Sequence, residues 1–348
     1  MSLDLAHQIQ AHLTVALAYL FEALIPFQIR QSPLYWPFLV STVLVAVLFW
    51  RFRSSDEDGR SSWRAFRQRY FGRALWWHPS ARVDYRYYLV NAVVYPVVVG
   101  PALVTGAAIA GMLNGAFDPL VGARPPLIEA NWTVRFAYTL VFFVAYDFGR
   151  FVAHCALHDV KLLWEFHKPH HSAEVLTPFT AFRAHPVDLA VMAWGSSLAT
   201  GIATWGFQWV GGTGIGFYQF LEMHVLLWGF NLLGNLKHWQ VSISYGRVLD
   251  NWLISPAHHQ LHHSAEPRHF GCNRGFELAI WDRLYGTLAL PRRGEVFRMG
   301  LGDGSDGRWQ RVWRLYLWPL RRAGARLVGR GASVAGGAPA LERAGGRR

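Results

Sequence analysis

Long apolar runs separated by short basic or proline-rich segments organise this chain. Six runs approach or exceed the length that crosses a hydrocarbon core, roughly 20 residues. They lie at residues 13–27, 35–50, 88–112, 134–157, 187–210 and 214–236. Glu22 and Pro26 interrupt the first, which suits a short hairpin with the second more than a full crossing. The pattern predicts an all-α fold, a multi-pass membrane helical bundle of about four to six spans with a cytoplasmic histidine-rich helical cap. The segment between the second and third runs carries Arg51, Arg53, Arg60, Arg64, Arg67, Arg69, Arg73 and Arg82, and the positive-inside rule puts it in the cytoplasm. Counting forward, residues 114–132, with Pro119, Pro125 and Pro126, are external. Residues 158–186 and everything after Lys237 return to the cytoplasmic side.

Beyond Pro291 the pattern changes. Residues 308–320 interleave Trp309, Val312, Trp313, Leu315, Tyr316, Trp318 and Leu320 with Arg311 and Arg314, as in a basic amphipathic helix lying in a membrane interface. Residues 321–348 are rich in Gly, Ala and Arg without an apolar period, and disorder is expected. The expected division is therefore an N-terminal hairpin and basic loop (1–86), a membrane core (87–290), an interfacial segment (291–320) and a basic tail (321–348).

Composition sharpens this picture. Hydrophobic residues make up 52% of the 348 and charged residues 16%, against about 25% charged in a soluble domain. The 17 Trp and 13 Tyr suit membrane–water interfaces. The excess of 34 Lys+Arg over 22 Asp+Glu fits cytoplasmic loops facing anionic lipid, and nucleic-acid binding is set aside. The Arg- and Ala-rich composition suggests a bacterial inner membrane. Cys155 and Cys272 make no disulfide framework, and both are read as reduced. Residues 1–10 lack the basic region of a signal peptide, so the first run is read as retained.

The candidate chemistry lies in the histidines. Twelve of the sixteen fall between His154 and His263. His154 and His158 form H-x3-H; His167, His170 and His171 form H-x2-H-H; His259, His262 and His263 repeat that spacing. Positions i, i+3 and i+4 share a helix face, so each motif can aim two or three imidazoles at one point. Pro169 suggests that the second motif begins a helix. Imidazole suits Fe, Zn, Cu and Ni, and one ion takes about three or four such ligands. Eight motif histidines point to two ions, with His238, at the end of the last apolar run, as a ninth candidate. Two redox metals beside a membrane suggest O2 activation against an unactivated C–H bond. Ligating histidines usually give their second N–H to a carboxylate or carbonyl. Asp147, seven residues before His154, and Asp282 are candidates for that role, and Asp159, Glu165, Glu174 and Asp188 also flank the motifs. His185 precedes Pro186 and either starts a helix or bonds a ligand; His258 points away from His259 and is assigned to the surrounding shell. His224 is read as a helix–helix hydrogen bond.

Four segments carry a resemblance: Asp147 to His158, Leu163 to Ser172, Ser255 to Ser264 and Trp281 to Thr287. Together they resemble the membrane fatty acid hydroxylase/sterol desaturase family over residues 146–290. The resemblance implies a non-haem diiron centre held by about eight or more histidines, with His154, His158, His167, His170, His171, His259, His262 and His263 at the motif positions and His238 as the intermediate histidine. It also implies O2 as cosubstrate, hydroxylation, desaturation or ether cleavage of a lipid (sterol, fatty acyl or alkyl ether), and a separate electron donor of cytochrome b5, ferredoxin or reductase type. Three positions depart from the family pattern. Gly149-Arg150-Phe151 stands where relatives carry an aromatic pair, Asn273-Arg274-Gly275 replaces Asn-Tyr-Gly, and Trp239-Gln240 follows His238. Two other readings are a membrane metal transporter and a zinc-dependent membrane hydrolase. The first needs a site near the midplane, and the second lacks H-E-x-x-H.

Overall fold

The computed structural model describes residues 25–53, 62–122 and 126–328, with residues 10, 14, 17, 18 and 21 before them. Most of the expected first span and the tail beyond residue 328 lie outside the described residues. The principal helices are α1 (Trp36–Arg53), α2 (Trp63–Phe71), α3 (Pro79–Val94), α4 (Gly106–Val121), α5 (Trp132–Asp159), α6 (Lys161–His171), α7 (Pro186–Gly211), α8 (Val225–Lys237), α9 (Pro256–His262), α10 (Ile280–Tyr285) and α11 (Val312–Leu327). The one ladder named among the described residues pairs Gln219–Phe220 with Met223–His224, antiparallel. Its two-residue loop, Leu221 and Glu222, has φ of 48° and 66°, the primed turn that a tight hairpin requires.

Among the described residues, two stretches are long and apolar enough to cross a membrane, Pro79–Leu120 and α5; α1 is a shorter apolar helix. The first is not one rod. α3 ends at Val94, a π turn spans Tyr95–Val99, a 3-10 turn spans Gly100–Ala102, and Leu103 is extended. Pro96 and Pro101 remove backbone donors there, which breaks a helix. α4 restarts where Thr105 Oγ1 accepts the Ala108 N–H at 3.1 Å, and it continues to Val121, so the expected external loop from residue 114 starts later. The expected last span is also corrected. Residues 212–224 form loop and hairpin, and α8 has 13 residues, about 20 Å of helix, less than a hydrocarbon core.

Small residues set the helix crossings in the apolar layer. A Cβ on Gly149 of α5 would come within 2.3 Å of the Gly195 carbonyl oxygen of α7, and one on Gly195 within 2.6 Å of the Gly149 oxygen. The two backbones therefore touch, as small residues allow between membrane helices. The absent aromatic pair at Gly149 is the condition for this approach. Tyr138 Oη and Thr204 Oγ1 bond across the same pair at 2.8 Å. His224, expected within the last span in a helix–helix bond, lies instead in the hairpin before α8, and its Nε2 lies 2.9 Å from the Thr139 carbonyl of α5.

The histidine-bearing cap sits on one end of α5 and α7. Asp147, fully buried in α5, accepts the backbone N–H groups of Glu277 (2.9 Å) and Leu278 (3.1 Å) and the Trp281 indole N–H (2.9 Å). Its expected role of orienting a ligand ring is corrected: it anchors the segment leading into α10. Lys237 Nζ, at the end of α8, donates to the Glu277 carboxylate at 2.7 Å. α11 packs on α6 and does not stop at residue 320. Arg321–Leu327, expected to be irregular, continues the helix.

Candidate metal centre

α5 contributes His154 and His158 from its last turns. α6 contributes His167, His170 and His171; Pro169 lies inside this helix, which begins at Lys161, not at the motif. α9 starts at Pro256 behind the Ser255 cap and supplies His259 and His262, with His263 as its C-cap. His238 caps the end of α8.

The nine histidines separate into two groups. His154, His158, His167, His171 and His262 each bring a ring nitrogen within 4.8 Å of the others, and His170, His238, His259 and His263 do the same. Each H-x2-H-H motif is split between the groups. Nε2 atoms face one another throughout. The pairs are His154–His167 at 3.0 Å and His154–His158 at 3.2 Å in the first group. In the second they are His238–His259 at 3.0 Å, His259–His263 at 3.2 Å and His170–His238 at 3.4 Å.

Protonation decides what such contacts mean. In the first group, His154 Nδ1 lies 2.7 Å from the Arg274 carbonyl, His262 Nδ1 2.7 Å from the Cys272 carbonyl, and His167 Nδ1 2.7 Å from Asp188 Oδ2. Each Nδ1 carries the proton and donates, so each Nε2 presents a lone pair. Burial holds His170, His171, His259 and His263 well below the ordinary imidazole range, with neighbouring imidazoles pushing the same way. Burial also lowers His262 and His238 to about 3. With Nδ1 of both His154 and His167 donating elsewhere, their Nε2 lone pairs stand 3.0 Å apart with no proton between them and repel. A cation removes that repulsion. Two nitrogens about 2.1 Å from one ion, seen at about 90–110°, lie roughly 3.0–3.4 Å apart, the spacing observed. His262 Nε2 and His171 Nε2 are buried without a protein partner, which fits the same ion. The residues thus fit two metal ions, one per group.

The remaining sequence candidates have other positions. Asp282 touches no histidine; it accepts the N–H groups of Arg274 and Gly275, both at 2.7 Å, and the Thr287 hydroxyl at 2.6 Å. It therefore sets the loop whose Arg274 carbonyl holds His154. A Cβ on Gly275 would meet Asp282 Oδ2 at 2.7 Å, so only glycine fits that turn. The Arg274 guanidinium, at the position departing from the family pattern, donates to Asp159 at 2.7 Å and ties this loop to the end of α5. His185 is a helix start: its Nδ1 accepts the Val187 N–H at 3.1 Å, and its Nε2 lies 3.1 Å from the Tyr316 carbonyl. His258 also caps. Its Nδ1 accepts from Ser255 N at 3.2 Å and lies 2.8 Å from Ser255 Oγ, so it orders α9 and orients no other ring. Asp188 is the carboxylate that does hold a candidate ligand.

Access differs between the groups. A cavity of about 80 Å³ is lined by His158, His171 and His262 together with Trp164, Phe270 and Leu301. All three histidines belong to the first group. The Trp164 ring lies 5.1 Å from His158 and 5.3 Å from His171.

Residues 139–287 match the family described as fatty acid hydroxylase. Alkylglycerol monooxygenase from Xenopus tropicalis is 30% identical over 172 residues, 49% of this chain and 34% of that protein. The ornithine lipid hydroxylase OlsE of Rhizobium tropici is 30% identical over 207 residues, 56% of this chain and 57% of that protein. A Delta(7)-sterol 5(6)-desaturase, ERG3B of Gibberella zeae, is 29% identical over 163 residues, 47% and 45% of the two chains. The matches thus span about a third to just over half the length of these relatives. No solved structure matches significantly. The matched region holds both histidine groups, and over it the chain resembles the fatty acid hydroxylase/sterol desaturase family.

Proposed function

We propose that this protein is a membrane non-haem diiron oxidoreductase that hydroxylates or desaturates a lipid, using O2 and electrons from a separate donor. One observation carries the reading: nine imidazoles, seven of them buried, converge in two groups, and in the first the Nε2 atoms of His154 and His167 face each other at 3.0 Å while both Nδ1 atoms donate elsewhere. His154, His158, His167, His171 and His262 would hold one ion, and His170, His238, His259 and His263 the other. Iron in such a set supplies O2 activation strong enough to take hydrogen from an unactivated C–H bond.

The chain's own contribution is orientation and exclusion. Asp188 and the carbonyls of Arg274 and Cys272 keep the Nδ1 protons of His167, His154 and His262 in place, so that Nε2 stays free to ligate. Burial keeps bulk water from the site. The small cavity beside His158, His171 and His262 suits entry of a diatomic gas or water and is far too small for a lipid. The lipid would approach from the apolar layer, along helices whose outward faces are exposed and aliphatic. The relatives' names support a lipid substrate of the alkylglycerol, ornithine-lipid or sterol class. Histidines gathered at one end of α5 weigh against a transporter, whose site sits near the midplane.

The test is elemental analysis of the detergent-purified chain beside His170→Ala and His262→Ala, followed by incubation with lipids, O2 and a reductant. Iron at about two per chain, lowered in both variants, with oxygen-dependent lipid product, is expected. Zinc that iron cannot displace anaerobically would move the assignment to a hydrolase.

A further inference from the structure

The face of α11 turned away from the protein has no function in the site described above. Trp313, Leu317, Leu320 and Leu327 are 54%, 58%, 51% and 74% exposed. They recur at intervals of four, three and seven and so form one stripe along the helix. Arg308, Arg311 and Arg321 are exposed beside it. The opposite face is buried: Leu315, Pro319 and Ala323 pack inward. The inner contacts fix the level of the helix. Tyr316 Oη donates to Asn91 of α3 at 2.6 Å, and the Tyr316 carbonyl meets His185 at the start of α7. α11 therefore lies against the C-terminal half of α3 and the start of α7.

The same helix grips the metal-site helix. Glu165 of α6 is fully buried, two residues before His167. Its carboxylate accepts from Lys168 at 2.9 Å, Arg322 at 2.5 Å and Arg326 at 2.6 Å. One carboxylate thus receives three cations, two of them from α11. A surplus of positive charge in a buried cluster costs free energy unless more negative charge lies nearby.

We infer that α11 docks on an anionic lipid surface, and that docking holds α6 in place through Glu165. The occupant follows from the chemistry of the face. An apolar stripe flanked by arginines matches the acyl boundary and the phosphates of an anionic leaflet, and the helix is already at the level where the apolar helix α7 begins. Anionic headgroups would also balance the surplus charge carried by Arg322 and Arg326. The inference does not depend on the identity of the metal or of the reaction.

The experiment uses the full chain, stripped of metal, in bilayer discs of phosphatidylcholine alone or mixed with phosphatidylglycerol. Leu320→Cys carries a fluorescent label, Cys155 and Cys272 being buried. Brominated acyl chains are expected to quench the label severalfold more in the phosphatidylglycerol discs, and high salt is expected to reverse the difference. Hydrogen exchange is read on residues 161–171. Their protection is expected to rise with phosphatidylglycerol in the unsubstituted chain and to lose that lipid dependence in the Arg322→Gln/Arg326→Gln double variant. A label unquenched in both lipids would overturn the docking and assign the stripe to a protein partner or a second copy. A quenched label with α6 protection indifferent to lipid would overturn the coupling. Leu317→Glu, which keeps the Glu165 contacts, separates a docking defect from misfolding: it should lose quenching while retaining exchange protection in the apolar helices.

Discussion

The two histidine groups are built from the same motifs and held in different ways. In the first, His154, His167 and His262 each give an Nδ1 proton to a fixed acceptor: the Arg274 carbonyl, Asp188 and the Cys272 carbonyl. In the second, the Nδ1 atoms of His170, His259 and His263 are buried without a protein partner. The first group borders a cavity, whereas none of the second group's histidines lines it. Fixed tautomers raise ligand basicity and lock ring orientation. The first group is thus a rigid, accessible set of imidazoles, and the second is a closed set aligned mainly by packing.

The bluntest way to break the comparison is to remove one ligand from each group. His167→Ala and His259→Ala should each lower iron from about two per chain to about one. Equal loss of both ions in each variant would mean that the groups act as a single site. Asp188→Asn is sharper, because it touches only the first group. It should weaken metal binding there by about 10–100-fold, read by competition with a chelator, and leave the second ion unaffected. Gly149→Ala tests how the first group is assembled. His154 rides on α5 and Asp188 on α7, and the two helices cross where a Cβ would strike the Gly195 carbonyl. A thermal-stability loss of about 1–3 kcal/mol is expected, with metal loss confined to the first group. The smallest effect is a pH dependence. Burial lowers His185 to about 4, so the folded protein keeps it neutral where the unfolded chain takes a proton. Its contribution is complete above the ordinary value of 6.5 and is lost as pH falls toward 4. About 1–2 kcal/mol should disappear by roughly pH 5.5, and His185→Asn, which preserves the helix start, should flatten the stability slope between neutral pH and that point.

How far the sequence could be read follows from where each feature is encoded. The nine converging histidines were legible because i, i+3, i+4 spacing is a local rule, and His238 because it follows an apolar run. How each H-x2-H-H motif divides between two groups was not, since that depends on how α5, α6 and α9 meet. Asp188 was visible only as one of several flanking carboxylates; it lies 21 residues from His167, and no periodicity links them. The carbonyls of Arg274 and Cys272 belong to the backbone, and no residue type marks them. Asp147 and Asp282 were singled out as carboxylates flanking the motifs, but they bond backbone N–H groups instead of imidazoles. Apolar length overstated the last span, because it ignores Gly212, with φ of 80°, and the hairpin after it. Composition likewise hid the end of α11, whose Gly- and Ala-containing turns are held by tertiary ion pairs to Glu165.

Chain order adds a constraint of timing. Four of the five imidazoles of the first group lie within residues 154–171, but the fifth, His262, is made about ninety residues later. The second group waits for His238, His259 and His263, and the carbonyls that set His154 and His262 come later still. The Asp147 anchor closes only when Trp281 has been synthesised. A nascent chain emerging from the ribosome thus threads its apolar helices into the bilayer while neither ligand set is complete. Neither set can close around a metal ion until residues 262 and 263 have been made, long after the apolar helix α5 that carries the first two histidines.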